Sequence, residues 1–217
     1  MSTSSGKDLQ VESLRLHEWS ICLERVRLAD VIKPNLQAIL DFEEEQLQFD
    51  ETGRSQPVRM MVSLRNRAET LVECICIIID HPSSMKMEVE EALEGTYMSV
   101  YDAKVGAKDY FRRIVLKNDE QVFHPIGMDW TVASMRVSFA KSDPEGIVWT
   151  ALYAKSFPEA LGATHYAIKG DRLDVEPLER PQEELRRARE ELPYGRFIAR
   201  RADEIKSGIL RKAPEKA

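Results

Sequence analysis

The side chains able to do chemistry are few and widely spaced. Four histidines, His17, His81, His124 and His165, each lack a histidine or cysteine partner at metal-ligand spacing. Two of them stand near an aspartate, as Asp80-His81 and as His124 with Asp129. Brought into one pocket, these four could form an acid/base set or hold a cation, because an imidazole beside a carboxylate exchanges protons near neutral pH. Both histidines also adjoin a proline, Pro82 and Pro125, where polar residues commonly cap elements and form turns. The capping role is the expected one, so no residue is assigned to catalysis.

The stretch "ECICIIIDHP", Glu73 to Pro82, poses a second question. On a strand, Cys74 and Cys76 would share a face and could share a metal. On a helix, two residues span about 200° and the thiols point apart. The spacing is not the C-x-x-C of redox and zinc motifs. With Cys22 the count is three and has no framework pattern, which suits a reducing compartment. No glycine-rich phosphate loop, nucleophile elbow, zinc-protease motif or kinase signature is present. No cofactor or metal is implied.

Two groups of residues could bind a partner. Trp149 and Tyr153, with Arg136 opposite Tyr153 in a hairpin, would make a face able to stack on a base, ring or peptide. A helix from the first half of the chain laid over that face would make it a second core layer instead. Arg196, Arg200 and Arg201 belong to a basic tail: from Arg180 onward there are eleven Lys/Arg and seven Asp/Glu, against 20 and 30 before it. Of the net charge of −6, the body therefore holds −10 and the tail +4, and contact with phosphates or an acidic protein would fall to the tail.

The elements that must position these groups follow from apolar spacing. Leu16, Trp19, Leu23 and Val26 predict an amphipathic helix over 9–33. Beyond Pro34 the stripe continues through Leu36, Ile39, Leu40 and Leu47. From Pro57 to Asp80, residues Met61, Leu64, Ala68, Leu71, Val72, Ile75, Ile78 and Ile79 fall on one helical arc, which predicts a single long helix and sends Cys74 and Cys76 to different sides. Shorter helices are expected over Met85–Glu94 and Val100–Lys117.

The period then changes to that of strands. Ala133, Met135, Val137 and Phe139 alternate with polar residues, and "DPEG" predicts a hairpin that pairs Ser142 with Ile147. "HYAIKGDRLDV" predicts another, turning at Gly170-Asp171 with Tyr166 opposite Val175 and Ile168 opposite Leu173. "PQEELRRAREEL" and "GRFIARRADEIKSGILRK" read as C-terminal helices.

The expected fold is thus α+β. A helical bundle would run to about residue 125, a small antiparallel sheet of two hairpins would occupy 126–179, and a charged helical appendage would fill 180–217, after a disordered 1–8. With 43% hydrophobic and 31% charged residues the chain can build a core. No apolar run approaches the roughly 18 residues of a membrane span, and a cytoplasmic location is expected. The expected role is a protein interaction or assembly protein that works through long amphipathic helices, with a homo-oligomer possible and no membrane contact. Two alternatives stand beside it: a nucleic-acid-associated protein using the tail and the Trp149/Tyr153 face, and an enzyme of undetermined type built on Asp80, His81, His124 and Asp129.

Overall fold

The structure, a computed structural model, describes residues 36–192 except 44, 69, 106–107, 126–128 and 156, with backbone alone for 101–105 and 108–110. The chain divides into two units at Pro34, and all that follows concerns the second. The helix expected over 9–33 and the basic one from Gly195 lie outside the described residues.

Among the described residues ten strands come first: β1 Leu36–Phe42, β2 Val58–Asn66, β3 Val72–Pro82, β4 Lys86–Ala92, β5 Thr96–Val105, β6 Lys108–Phe123, β7 Asp129–Ser138, β8 Glu145–Tyr153, β9 Ala160–Lys169 and β10 Arg172–Pro177. One helix follows, α1 Gln182–Glu191. The strands form two antiparallel sheets, β1-β2-β7-β4 and β10-β9-β8-β3-β6-β5. Their facing sides enclose the main core, in which Met60, Val62 and Leu64 of β2 and Met135 and Val137 of β7 join Ile75, Ile77 and Ile79 of β3 and Val148 and Leu152 of β8. The order β1-β2-β7-β4 and β9-β8-β3 is that of the two sheets of a constant-type immunoglobulin sandwich. The β5–β6 hairpin is inserted between the fourth and fifth strands of that plan. Strand order of this kind hosts unrelated functions and assigns none.

This overturns the α+β expectation and its helical bundle. The region expected to be one helix from 57 to 80 is β2, a connection and β3; the short helix over 85–94 is β4; the helix over 100–117 is β5 and most of β6. The helical period was a coincidence with an identifiable cause. Leu64, Ala68, Val72 and Ile75 are all buried, at spacings of four, four and three. They come, however, from a strand end, a loop and a strand interrupted at Cys74, whose φ of 52° is left-handed and sits where the β3–β6 register shifts. Past Ile75 both faces of β3 are covered, so burial is continuous and no period survives to separate strand from helix.

The hairpin expected at "DPEG" does not form. Asp143 N–H donates to Ala140 C=O at 3.0 Å, closing the turn earlier, and the chain crosses from β7 in one sheet to β8 in the other. The apolar faces of these strands do meet, but across the sandwich rather than side by side. The second hairpin has the expected register: Tyr166 faces Val175, Ile168 faces Leu173 and Lys169 faces Arg172. Gly170, at φ 71°, takes the first turn position, where a left-handed conformation is needed. The helix read from "PQEELRRAREEL" is α1, but it is less solvated than its composition suggests.

Candidate functional site

The side of β3 facing away from the main core carries Cys76, Ile78 and Asp80. Cys76 and Ile78 pack with Val115 of β6, Trp149, Ala151 and Tyr153 of β8, Leu161 and Ala163 of β9, and Leu185 of α1. Trp149 and Tyr153 are only 4% and 5% exposed. The aromatic face is therefore a second core layer, roofed by the C-terminal helix. Arg136, expected across from Tyr153, lies exposed on β7 in the opposite sheet.

A buried charge cluster closes this layer. Asp80 is paired with Arg113 of β6 in the sheet register. Arg113 Nε and Nη2 donate to its two carboxylate oxygens at 2.6 and 2.9 Å, the fork geometry that gives the strongest protein ion pairs. Arg189, in the last turn of α1, adds a third N–H at 2.9 Å to Asp80 Oδ2. Its Nη1 lies 3.9 Å from Glu159, which also accepts the Tyr153 hydroxyl. Two guanidinium groups and two carboxylates thus balance, with Asp80 1% exposed. Arg113 Nη1 and Arg189 Nε find no acceptor, and the Arg113 guanidinium carbon sits 6.0 Å from the Phe111 ring centroid.

The cluster fastens a helix that could not hold itself. At ten residues α1 is short for independent stability, and Pro181 at its start provides no side-chain cap. Gln182 supplies the join at that end. Its side-chain amide accepts from Leu161 N–H at 2.6 Å and donates to Leu161 C=O at 2.8 Å, so it continues the β9 ladder past Pro177, where β10 stops. Arg189 fixes the other end. Burial pushes the Tyr153 hydroxyl above its ordinary pKa, reinforced by Glu159, and drives the Cys76 thiol up to about 12 against the pull of Lys117 and Arg113. Neither is a nucleophile at neutral pH.

The residues considered for catalysis do not converge. Asp80 and His81 lie at the end of β3 paired with Arg113 and Arg112, whereas His124 follows Phe123, which pairs with Val72. Eight residues of strand separate the two ends, about 26 Å at 3.3 Å per residue. His81 is buried, with Nδ1 3.0 Å from Pro82 O. His124 uses its backbone C=O to accept from the Trp130 indole at 3.1 Å. Cys74 and Cys76 are free, and the left-handed turn at Cys74 breaks the strand alternation that would have paired them. Among the described residues no three His, Cys, Asp or Glu side chains gather at metal-binding distance. Arg196, Arg200 and Arg201 lie outside the described residues.

Asp129 belongs to a separate, surface feature. It accepts from Arg65 Nε and Nη2 at 2.7 and 2.6 Å across the β2–β7 pair, and this hydrogen-bonded partner holds its carboxyl below the ordinary 3.8. A depressed carboxyl pKa stabilises the fold above the ordinary value, and that stabilisation is lost as pH falls through the folded-state value. Asp129→Asn should therefore cost at most about 1 kcal/mol at neutral pH, since the pair is a third exposed. Denaturant titrations of the two proteins should converge below pH 3.8; an undiminished gap there would show that charge is not the cause.

One sheet edge differs from the rest. The edges at β4 and β10 carry exposed charge, Lys86, Glu88, Glu90 and Glu91 on the first and Arg172 and Glu176 with Pro177 on the second. The β10 edge is also capped by the 45–47 segment, through Leu47 N–H to Asp171 C=O and Leu173 N–H to Glu45 C=O, both 2.6 Å. At the fourth edge, β1 packs against β8 and β9. The first half of strand β5 has none of these protections. Among the described residues it pairs with β6 alone, and "TYMSVY", Thr96 to Tyr101, is uncharged. Tyr97, Met98 and Val100 are 62%, 48% and 55% exposed. Met98 and Val100 face the same way as the core residues Leu116 and Ile114 opposite them, yet they stay exposed. Buried Asn118 pins the start of β5: its amide donates to Glu94 C=O and Thr96 Oγ1, both at 3.0 Å.

A scan against protein-family models finds no match, and a search of curated proteins finds none either. Sequence reasoning missed Arg113, Arg189 and the β5 edge. The charge cluster leaves no local trace, because Arg189 lies 109 residues from Asp80. The edge did leave one: Thr, Tyr, Val and Tyr are strand formers, and Gly95 before them marks a turn.

Proposed function

We propose that this chain is a protein interaction or assembly module whose contact surface is the open edge of β5, reached by strand addition. The observation that carries this reading is that the one unshielded sheet edge among the described residues with an uncharged run, Thr96 to Tyr101, is also the one with three large exposed hydrophobic side chains in four positions. An edge strand presents unpaired N–H and C=O groups to any extended chain, and proteins usually blunt such edges with charge, proline or a covering loop. The other edges here are blunted. Strand addition would supply backbone hydrogen bonds for affinity, while contacts with the exposed Met98 and Val100 side chains would give selectivity. The contact surface thus moves from long helices to a sheet edge, since three of the stretches expected to be helices are strands.

The test is a photo-reactive phenylalanine analogue placed at Tyr97 in the full chain and activated in living cells, with Glu51, exposed in a turn before β2, as the comparison position. A discrete covalent adduct from Tyr97, absent from Glu51 and lost when Val100→Lys is added, is the expected result. Equal or absent adducts at the two positions would sink the reading.

A further inference from the structure

Building on the β5 reading just given, we infer that the partner at this edge is a second copy of the chain, joined so that the two six-stranded sheets run on as one. An antiparallel edge is complementary to itself under a two-fold axis normal to the sheet. Such an axis keeps each face on its own side, so residues opposite one another must share a face and the axis must pass through a single residue position. Of the registers this permits along Thr96–Val105, the one centred on Ser99 suits the sequence best. It sets Met98 opposite Val100 of the other copy, twice, on the face continuous with the core, and brings the Tyr97 and Tyr101 positions level. Apolar and aromatic cross-strand pairs of this kind are the favourable ones.

Charge agrees with the same register. Nothing charged falls between Tyr97 and Tyr101, and Asp102 is met by Thr96 rather than by another acid. Centring on Val100 would instead set Met98 against Asp102. The edge is also prepared for pairing in advance: Asn118 holds the first turn of β5 in place, so little ordering is needed at the moment of contact.

Light scattering coupled to gel filtration, over a dilution series of the full chain, tests this. Wild type is expected at twice the chain mass. Met98→Lys and Val100→Glu should each weaken the dimer about tenfold or more, because each puts an unpaired charge against an apolar side chain twice over. The double variant Met98→Lys/Val100→Glu should recover it, because the register sets the two new charges opposite one another. Leu71→Lys, at an exposed loop position, should change nothing. A wild-type monomer throughout would overturn the self-pairing, while the Tyr97 adduct would still report separately whether the edge binds some other protein. A dimer insensitive to both single variants would also overturn it, and single variants that weaken without rescue would overturn the register.

Discussion

Asp80→Ala should be among the most damaging single substitutions in the described part of the chain, lowering stability by about 3–5 kcal/mol. The carboxylate takes three N–H donors from two guanidinium groups in a region closed to water. Removing it leaves Arg113 with no charged partner and Arg189 with only Glu159 at 3.9 Å. At about 2–4 °C per kcal/mol for a chain of this size, thermal unfolding should fall by roughly 6–20 °C. Replacing the whole group is a different matter. In Asp80→Leu/Arg113→Met/Arg189→Met no buried charge of the triad remains, and the apolar side chains fill similar space, so most of the loss should be recovered. A melting point within about 2 °C of wild type for Asp80→Ala, less than 1 kcal/mol on the same scale, would mean that the cluster does not hold the helix to the sheet.

Ile77→Ala and Ile78→Ala should cost similar amounts, about 2–5 kcal/mol each in denaturant titration. This is unusual for neighbours on a strand, which point to opposite sides of the sheet. Ile77 looks into the core between the sheets and Ile78 into the layer beneath α1, and both are fully buried. Were α1 undocked, Ile78 would face solvent and its truncation would cost well under 1 kcal/mol, in the range of ordinary surface changes. The ratio of the two losses therefore measures how firmly the helix covers the sheet. Combining Ile78→Ala with Arg189→Met adds a check, because sites that share a layer should not contribute additively.

The parts of this fold that were legible were the ones whose information is local. The β9–β10 hairpin could be read to the residue because Gly170-Asp171 dictates the turn and the turn dictates the register. Strand β7 was readable because one of its faces is apolar and the alternation is clean. Strand β3 was not, because its partners on both faces are distant in sequence and the resulting run of buried residues has no period. At β7 and β8 both strands were right and their relation was wrong: an apolar face says that a strand packs against something, without saying whether its neighbour in the chain lies beside it or across the core. The charge cluster was beyond reach for a further reason. Asp80, Arg113 and Arg189 are each unremarkable in sequence, and only a sheet register and a docked helix bring them within hydrogen-bond distance.

The placement of β3 also has a consequence for the order of events during synthesis. This strand, fully buried from Ile75 to Ile79, is emitted early, but its neighbours β6 and β8 and its roof α1 are emitted late. The last contact, Arg189 with Asp80, spans 109 residues. At about 5–20 residues per second of translation, that interval is on the order of 5–20 s. For that time Ile75 to Ile79 travel without their final cover, so this stretch is where a nascent-chain chaperone would have most to shield, and a chain truncated before Leu185 would leave it permanently half-roofed.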